Sequence, residues 1–219
     1  MAYLLKFLDI FRWKKHYGRE WGIQKIFMDF IKERMNRIMS KVYIFFADGF
    51  EDIEGLTVVD LLRRAKVPVH MVSIQGKQAK GSQGIVIETE IGIAEVSEQI
   101  GDYLVLPGGM PGTLHLKEHA GLCRLLNQEE KKEKHIAAIC AAPSVLGELG
   151  MLKGKRACCY PSFEEKLNCL EVSYEPVVTD GRITTSRGMG TAVRFSLELV
   201  SVLYGKEKAD EIAESIVYM

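Results

Sequence analysis

The amino-acid sequence predicts an α/β fold, a doubly wound sandwich built on a mainly parallel sheet. Three observations lead there. Short, β-rich apolar runs alternate with stretches of helical periodicity, the pattern of strand–helix–strand units. Several of these runs are apolar throughout, as in strands covered on both faces. Three segments of unusual chemistry, "ADGFEDIE", "LPGGMPG" and "AICAAP", fall where strands give way to helices. That is the end of an open α/β sheet at which ligands bind.

The elements follow in order. "KVYIFF" (41–46) is a buried strand. "EDIEGLTVVDLLRRA" has helical spacing that puts Ile53, Leu56, Val59 and Leu62 on one face. "VPVHMVSI" is the next strand, and "KQAKGSQGIVIETE" a small β excursion around Gly81 and Gly84. "YLVLPGG" (103–109) is a core strand ending in a glycine pair, followed by the amphipathic helix "AGLCRLLNQEEKKEK". Strand "HIAAIC" runs into helix "APSVLGEL"; "RACCY" suggests a short strand and "SFEEKL" a short helix. "VVTDGRITTS" reads as a hairpin whose Asp180-Gly181 suits a type I′ turn. "TAVRFSLELVSVLYG" and "KADEIAESIV" close the chain as helices.

The totals set bounds on function. A chain of 219 residues suits one domain, or one with an appendage. Its 47% hydrophobic and 26% charged residues are ordinary for a soluble globular protein. With a formal net charge of zero, overall charge gives no argument for nucleic acid. Five cysteines (Cys123, Cys140, Cys158, Cys159, Cys169) form no CxxC pair and no Cys/His cluster with zinc spacing. They read as reduced thiols in a cytoplasmic compartment, with no metal and no cofactor expected. No apolar run is long enough to span a bilayer.

Residues 1–39 differ from the rest. Nine Lys/Arg stand against four acids, a charge of +5 that the remainder balances with −5, and both tryptophans, Trp13 and Trp21, lie here. A basic amphipathic helix for a membrane surface or partner, a targeting peptide, and an upstream extension all fit this composition. Interspersed acids and the lack of a small-residue cleavage site count against a targeting peptide. "MSKVYIFFADGF" from Met39 resembles a natural start leading straight into the first strand. The extension is the reading adopted, with residues 40–219 as the functional domain and no membrane contact expected of residues 1–39.

The chemistry centres on "HIAAICAAPSVLGEL" (135–149), which places Cys140 between a buried strand and a helix. Free N–H groups and the partial positive charge of a helix N-terminus stabilise a thiolate. The thiol pKa is therefore expected to fall below its usual value of about 8.5. Ala138, Ala141 and Ala142 let the turn close and a substrate approach, and Pro143 fits a first helical turn. A buried, inert cysteine fits the same position. Gly108 and Gly109 follow a strand and can bare their N–H groups to the same crevice, as an oxyanion hole does. Glu51, Asp52 and Glu54 are all ordinary acids at a helix start, and composition does not choose among them.

The segments "FADGFEDIEGLTVVDLLRRA", "LVLPGG", "AAICAAPSVL" and "TSRGMGT" occur in order and cover most of the domain. On these segments residues 41 to about 210 resemble the ThiJ/PfpI superfamily, in the branch of the Parkinson-associated protein. The resemblance implies a flavodoxin-like sandwich of the class I glutamine amidotransferase type, a homodimer, and a cysteine on a nucleophile elbow. It matches Cys140 to the nucleophile and Glu54 to a protonated acid hydrogen-bonded to the thiolate. Gly108 and Gly109 match the backbone donors; Ala141 and Tyr160 join them as substrate or oxyanion contacts. A carboxyl beside a thiolate should have a raised pKa, and the two should titrate as one pair.

The chain departs from the family pattern at Tyr160, where some members carry histidine, and a phenol is a poor base near neutrality. Gly188-Met189-Gly190 replaces the usual GPG, and Gln83 stands where some relatives have arginine. Arg64 falls near the family's dimer contact, where a solvated helix arginine fits equally.

The activity this resemblance implies is cofactor-free conversion of small dicarbonyls, methylglyoxal or glyoxal, or of early glycation adducts, to 2-hydroxy acids. The alternative is a peroxide sensor or stress chaperone acting through oxidation of Cys140. A peptidase of the PfpI branch needs a histidine directly after the nucleophile; here Ala141 stands there.

Overall fold

The computed structural model describes residues 41–96 and 103–219. Every described residue belongs to one compact unit, Met39–Met219. The expected extension over 1–39 lies outside the described residues.

The elements are β1 (Val42–Phe46), α1 (Asp52–Arg64), β2 (Val69–Ser73), β3 (Gln78–Lys80), β4 (Val86–Glu88), β5 (Ile91–Gly92), β6 (Tyr103–Leu106), α2 (Gly112–Glu118), α3 (Ala120–Lys131), β7 (His135–Ile139), α4 (Pro143–Glu148), β8 (Arg156–Ala157), β9 (Glu171–Val172), β10 (Val177–Asp180), β11 (Ile183–Ser186), α5 (Ala192–Tyr204) and α6 (Lys206–Ser215). Seven strands form one sheet in the order β10-β11-β7-β6-β1-β2-β5. Every neighbouring pair is parallel except β10–β11. This is the mainly parallel, doubly wound sandwich that the sequence predicts. Strands β3 and β4 form a separate antiparallel hairpin.

Side chains alternate across a strand, and that alternation divides the core in two. Val42, Ile44, Phe46, Val105 and Ile139 face one layer with Leu62 of α1, Phe195 of α5 and Ile212 of α6. Phe45, Leu104, Leu106 and Ile136 face the other, with Leu116 of α2, Leu126 of α3 and Leu146 of α4. Burying each such side chain contributes about 1.5–3 kcal/mol. Among the described residues no helix is long and apolar enough to cross a membrane.

Several local expectations are corrected. On α1 the buried line is Glu54, Gly55, Val58, Val59, Leu61 and Leu62, while Ile53 is 50% exposed. Gly55 explains the rotation. A Cβ there would sit 2.5 Å from Phe46 Cε1, so the helix backbone presses directly on the sheet. The closing hairpin also differs. Asp180 pairs with Ile183, leaving Gly181 and Arg182 as the turn. Only Gly181 has positive φ (61°), the φ pattern of a II′ turn rather than I′. "RACCY" supplies only Arg156–Ala157 as strand, and "SFEEKL" forms a 3-10 turn at Glu164–Lys166. Helix α2 and strand β5 are too short for periodicity to announce.

Candidate active site

Strands β1, β6 and β7 are parallel neighbours, so the segments that follow them meet at one edge of the sheet. Cys140 is the first residue after β7 and has φ +67°, a left-handed conformation that costs a residue with a Cβ about 1–3 kcal/mol. The surroundings hold it there. Its N–H donates to Ser186 O at 2.9 Å, and its carbonyl accepts from Tyr160 N at 2.8 Å. The Ser144 hydroxyl donates to Ala141 O at 2.6 Å and braces the turn into α4. The thiol is neither deeply buried nor fully open to solvent.

Glu54, on the first turn of α1, is 0% exposed. Its Oε2 accepts from Gly108 N at 2.9 Å, and its Oε1 is buried with no hydrogen-bond partner. Gly108 is the spacer between acid and thiol. A Cβ on it would lie 2.5 Å from Cys140 Cβ and 2.7 Å from Glu54 Oε2. Gly109, at φ +92°, passes equally close to the backbone of Glu51, where a Cβ would lie 2.3 Å from the nitrogen.

Burial pushes the Glu54 carboxyl up to about 7, with the charge of Glu51 adding to the rise; contact with the Cys140 thiol and the Gly108 N–H oppose it. Burial, the charge of Glu54 and contact with its carboxyl push the Cys140 thiol up to about 12, against the pull of the Gly109 and Ala141 N–H groups. The expected fall in the thiol's pKa is thus overturned. Helix α4 has only six residues, and two peptide donors do not outweigh burial beside a second acid. Because the two groups interact, their protons come off in steps that belong to the pair.

The expected site residues therefore divide. Cys140 and Glu54 are brought together. Gly109 and Ala141 present N–H groups to the sulfur. Gly108 does not serve as an oxyanion donor, because its N–H is committed to Glu54. Tyr160 contributes its backbone N–H to the elbow, and its half-exposed ring lies against Gly188. Two participants escaped the sequence reading. Ser186 holds the elbow through a carbonyl, which leaves no side-chain signature. Glu51 stood among three equivalent acids until the fold separated them.

The remaining cysteines lie apart from this pair in their contacts. Cys158 is buried on Thr185, Cys159 belongs to the second core layer, and Cys123 donates to Lys117 O at 3.1 Å. Among the described residues no three His, Cys, Asp or Glu are grouped to hold a metal. His115 Nδ1 lies 2.7 Å from Asp48 O, and His119 Nδ1 accepts from Leu122 N.

A doubly wound sheet with a thiol on a strained elbow and a buried carboxyl beside it defines the class of α/β protein. Residues 40–202 match the DJ-1/PfpI family, and the chain belongs to it. Protein dj-1beta of Drosophila melanogaster is 38% identical over 183 residues, covering 82% of this chain and 98% of that one. Protein DJ-1 homolog B of Arabidopsis thaliana is 36% identical over 85% of this chain, which spans 43% of that protein's length, and 46% of homolog A's. The glutathione-independent glyoxalase DJR-1.2 of Caenorhabditis elegans is 30% identical over 76% of this chain and 89% of its own. Among solved structures, oxidized Toxoplasma gondii DJ-1 superposes with a TM-score of 0.79 at 34% identity, covering 82% of this chain and 98% of that one.

Proposed function

We propose that this protein converts small dicarbonyls, methylglyoxal or glyoxal, or the early adducts they form on amines and thiols, to 2-hydroxy acids without a cofactor. The observation that carries the reading is the Cys140–Glu54 pair: a reachable thiol against a buried acid whose pKa stands near 7. An acid titrating near the working pH is the one suited to move protons. A family relative named as a glutathione-independent glyoxalase supports the same chemistry.

The reaction would run in three steps. Sulfur attacks the aldehyde carbon, the S–C bond forms, and the pair's shared proton passes through Glu54 to the new oxyanion, giving a hemithioacetal. The N–H groups of Gly109 and Ala141, which favour the charged sulfur, would also serve the charge that develops on oxygen. Glu54 then takes the proton from the former aldehyde carbon and returns it to the neighbouring carbonyl carbon. The hydroxyl proton of the first carbon passes to the oxygen of the second, so the first carbon is oxidised to a thioester as the second is reduced to an alcohol, and no outside oxidant or reductant is needed. Water cleaves the thioester, releasing the 2-hydroxy acid and the thiol. Residues Met110, Tyr160 and Met189, each about half exposed, offer a rim for the rest of the substrate. This reading includes a homodimer and a cytoplasmic location.

The test is lactate formed from methylglyoxal by the wild type and by Cys140→Ala and Glu54→Gln. Loss of turnover in both variants is expected. Full turnover in Cys140→Ala would end the proposal. A second reading, peroxide sensing at Cys140, draws on that thiol's accessibility; mass spectrometry after mild peroxide should then find Cys140 modified before the other four cysteines.

A further inference from the structure

A second carboxylate lies one helical turn before Glu54. Glu51 is the cap residue of α1, and its N–H donates to Gly108 O at 2.9 Å. Gly108 in turn donates its own N–H to Glu54 Oε2. The Glu51 backbone thus holds the carbonyl of the residue whose N–H holds Glu54. Its carboxylate is held from outside the helix: the Ser82 hydroxyl donates to Glu51 Oε2 at 3.2 Å, and Gln83 Nε2 donates to the Ser82 oxygen at 3.4 Å. Both come from the segment joining β3 to β4, which is anchored by Ser82 N to Phe50 O and by Gln83 N to Asp52 Oδ2.

We propose that Glu51, held by Ser82, is a positioning residue for the Cys140–Glu54 pair, keeping a negative charge beside Glu54 and holding the carbonyl of Gly108, the residue whose N–H binds it. This rests on the reading that Cys140 and Glu54 share a proton. The groups around Glu54 leave the role to Glu51. From β7 comes Cys140 itself. From the segment after β6 comes the uncharged Gly108 peptide, and from the segment after β11 comes Gly188, backed by the Tyr160 ring. On the same helix, Asp52 is turned to the hairpin, where a Cβ on Gly81 would lie 1.9 Å from its Oδ1. Burial is the main influence raising Glu54's pKa, and Glu51 is the charged side chain that adds to it. A negative neighbour makes Glu54 hold its proton to higher pH. It also couples the pair to the β3–β4 segment, because Ser82 fixes where that charge sits.

The experiment reads the pair without any dicarbonyl. The rate of Cys140 alkylation by iodoacetamide is followed by peptide mass spectrometry from acid to alkaline pH in the full chain. In Glu51→Gln the neutral-range midpoint should move down by about half a pH unit, the effect of one charge roughly a helical turn away in a water-like dielectric. Glu51→Asp should keep the wild-type midpoint. Added salt should narrow the gap between wild type and Glu51→Gln by screening. Ser82→Ala, which frees the carboxylate without removing its charge, should shift the midpoint in the same direction by less. Unmoved midpoints in both Glu51→Gln and Ser82→Ala overturn the proposal, and Ser82→Ala decides alone if the other variant fails to fold. Glu54→Gln separates the two readings: a neutral-range midpoint that survives there ends the shared-proton pair itself. Absent lactate with the alkylation shifts intact ends only the dicarbonyl reaction.

Discussion

Glu54 sits fully buried at the edge of a sheet, and that burial has a thermodynamic signature. Its carboxyl is raised from the ordinary value of 4.5 to about 7 in the fold. Between those values the folded chain holds a proton that the unfolded chain has released, so stability falls as pH rises through this window. The favourable contribution is fully present below about 4.5 and gone above about 7, a change on the order of 3 kcal/mol. Glu54→Gln cannot titrate. Urea unfolding should show the wild type losing stability across this range while the variant's curve stays flatter there. Gly108 supplies a second test at this scale. Alanine there would press a methyl group between Cys140 and Glu54, displacing both by a fraction of their spacing. Turnover of methylglyoxal should fall by about 100-fold or more, because misplacing reacting groups costs rate steeply, and the melting temperature should fall as well, since the methyl also meets the Ile139 carbonyl. The sequence made Cys140 and Glu54 legible through the segments that carry them. It did not reveal that Gly108 serves the acid while Ala141 serves the sulfur, because the partner of a backbone N–H is chosen by packing between segments distant in the chain.

At the scale of elements, periodicity located α1 and placed Val59 and Leu62 on its inward face correctly, but not Ile53. Spacing alone gave Ile53 and Leu62 the same standing. In the fold Leu62 is wholly buried against the first core layer and Ile53 is half exposed. The rotation follows from Gly55, whose missing side chain lets the helix lie on Phe46. It also turns Glu54 inward, so the packing of one helix and the placing of the acid are one event. Leu62→Ala should cost about 2–5 kcal/mol. Ile53→Ala should fall within about 0.5 kcal/mol of wild type, as surface changes do. Chemical denaturation of both variants checks the face directly; equal losses would mean that Ile53 is also a core residue in solution. The turn between β10 and β11 teaches the same lesson on a smaller scale. Asp180-Gly181 named the hairpin correctly, and only the strand register showed that the turn is Gly181-Arg182.

For the whole molecule, strand–helix alternation was enough to announce the sandwich, because each helix between parallel strands must cover a face of the sheet. Convergence of three loops at one edge followed from that topology, and no single segment declares it. The charge asymmetry of residues 1–39 was legible too, but composition fits several roles. Among the described residues, both core layers and the seven strands of the sheet fall within residues 42–216. Each side chain of the candidate pair is held by residues of that range. A chain beginning at Met39 is therefore expected to fold cooperatively, to melt within a few degrees of the full chain, and to alkylate Cys140 with the same pH midpoint. Circular dichroism and the iodoacetamide profile check the three outcomes together. A truncated chain that fails to fold would show that the basic segment supports this domain rather than standing apart from it. A folded chain with a displaced midpoint would show that the segment's +5 charge acts on the pair.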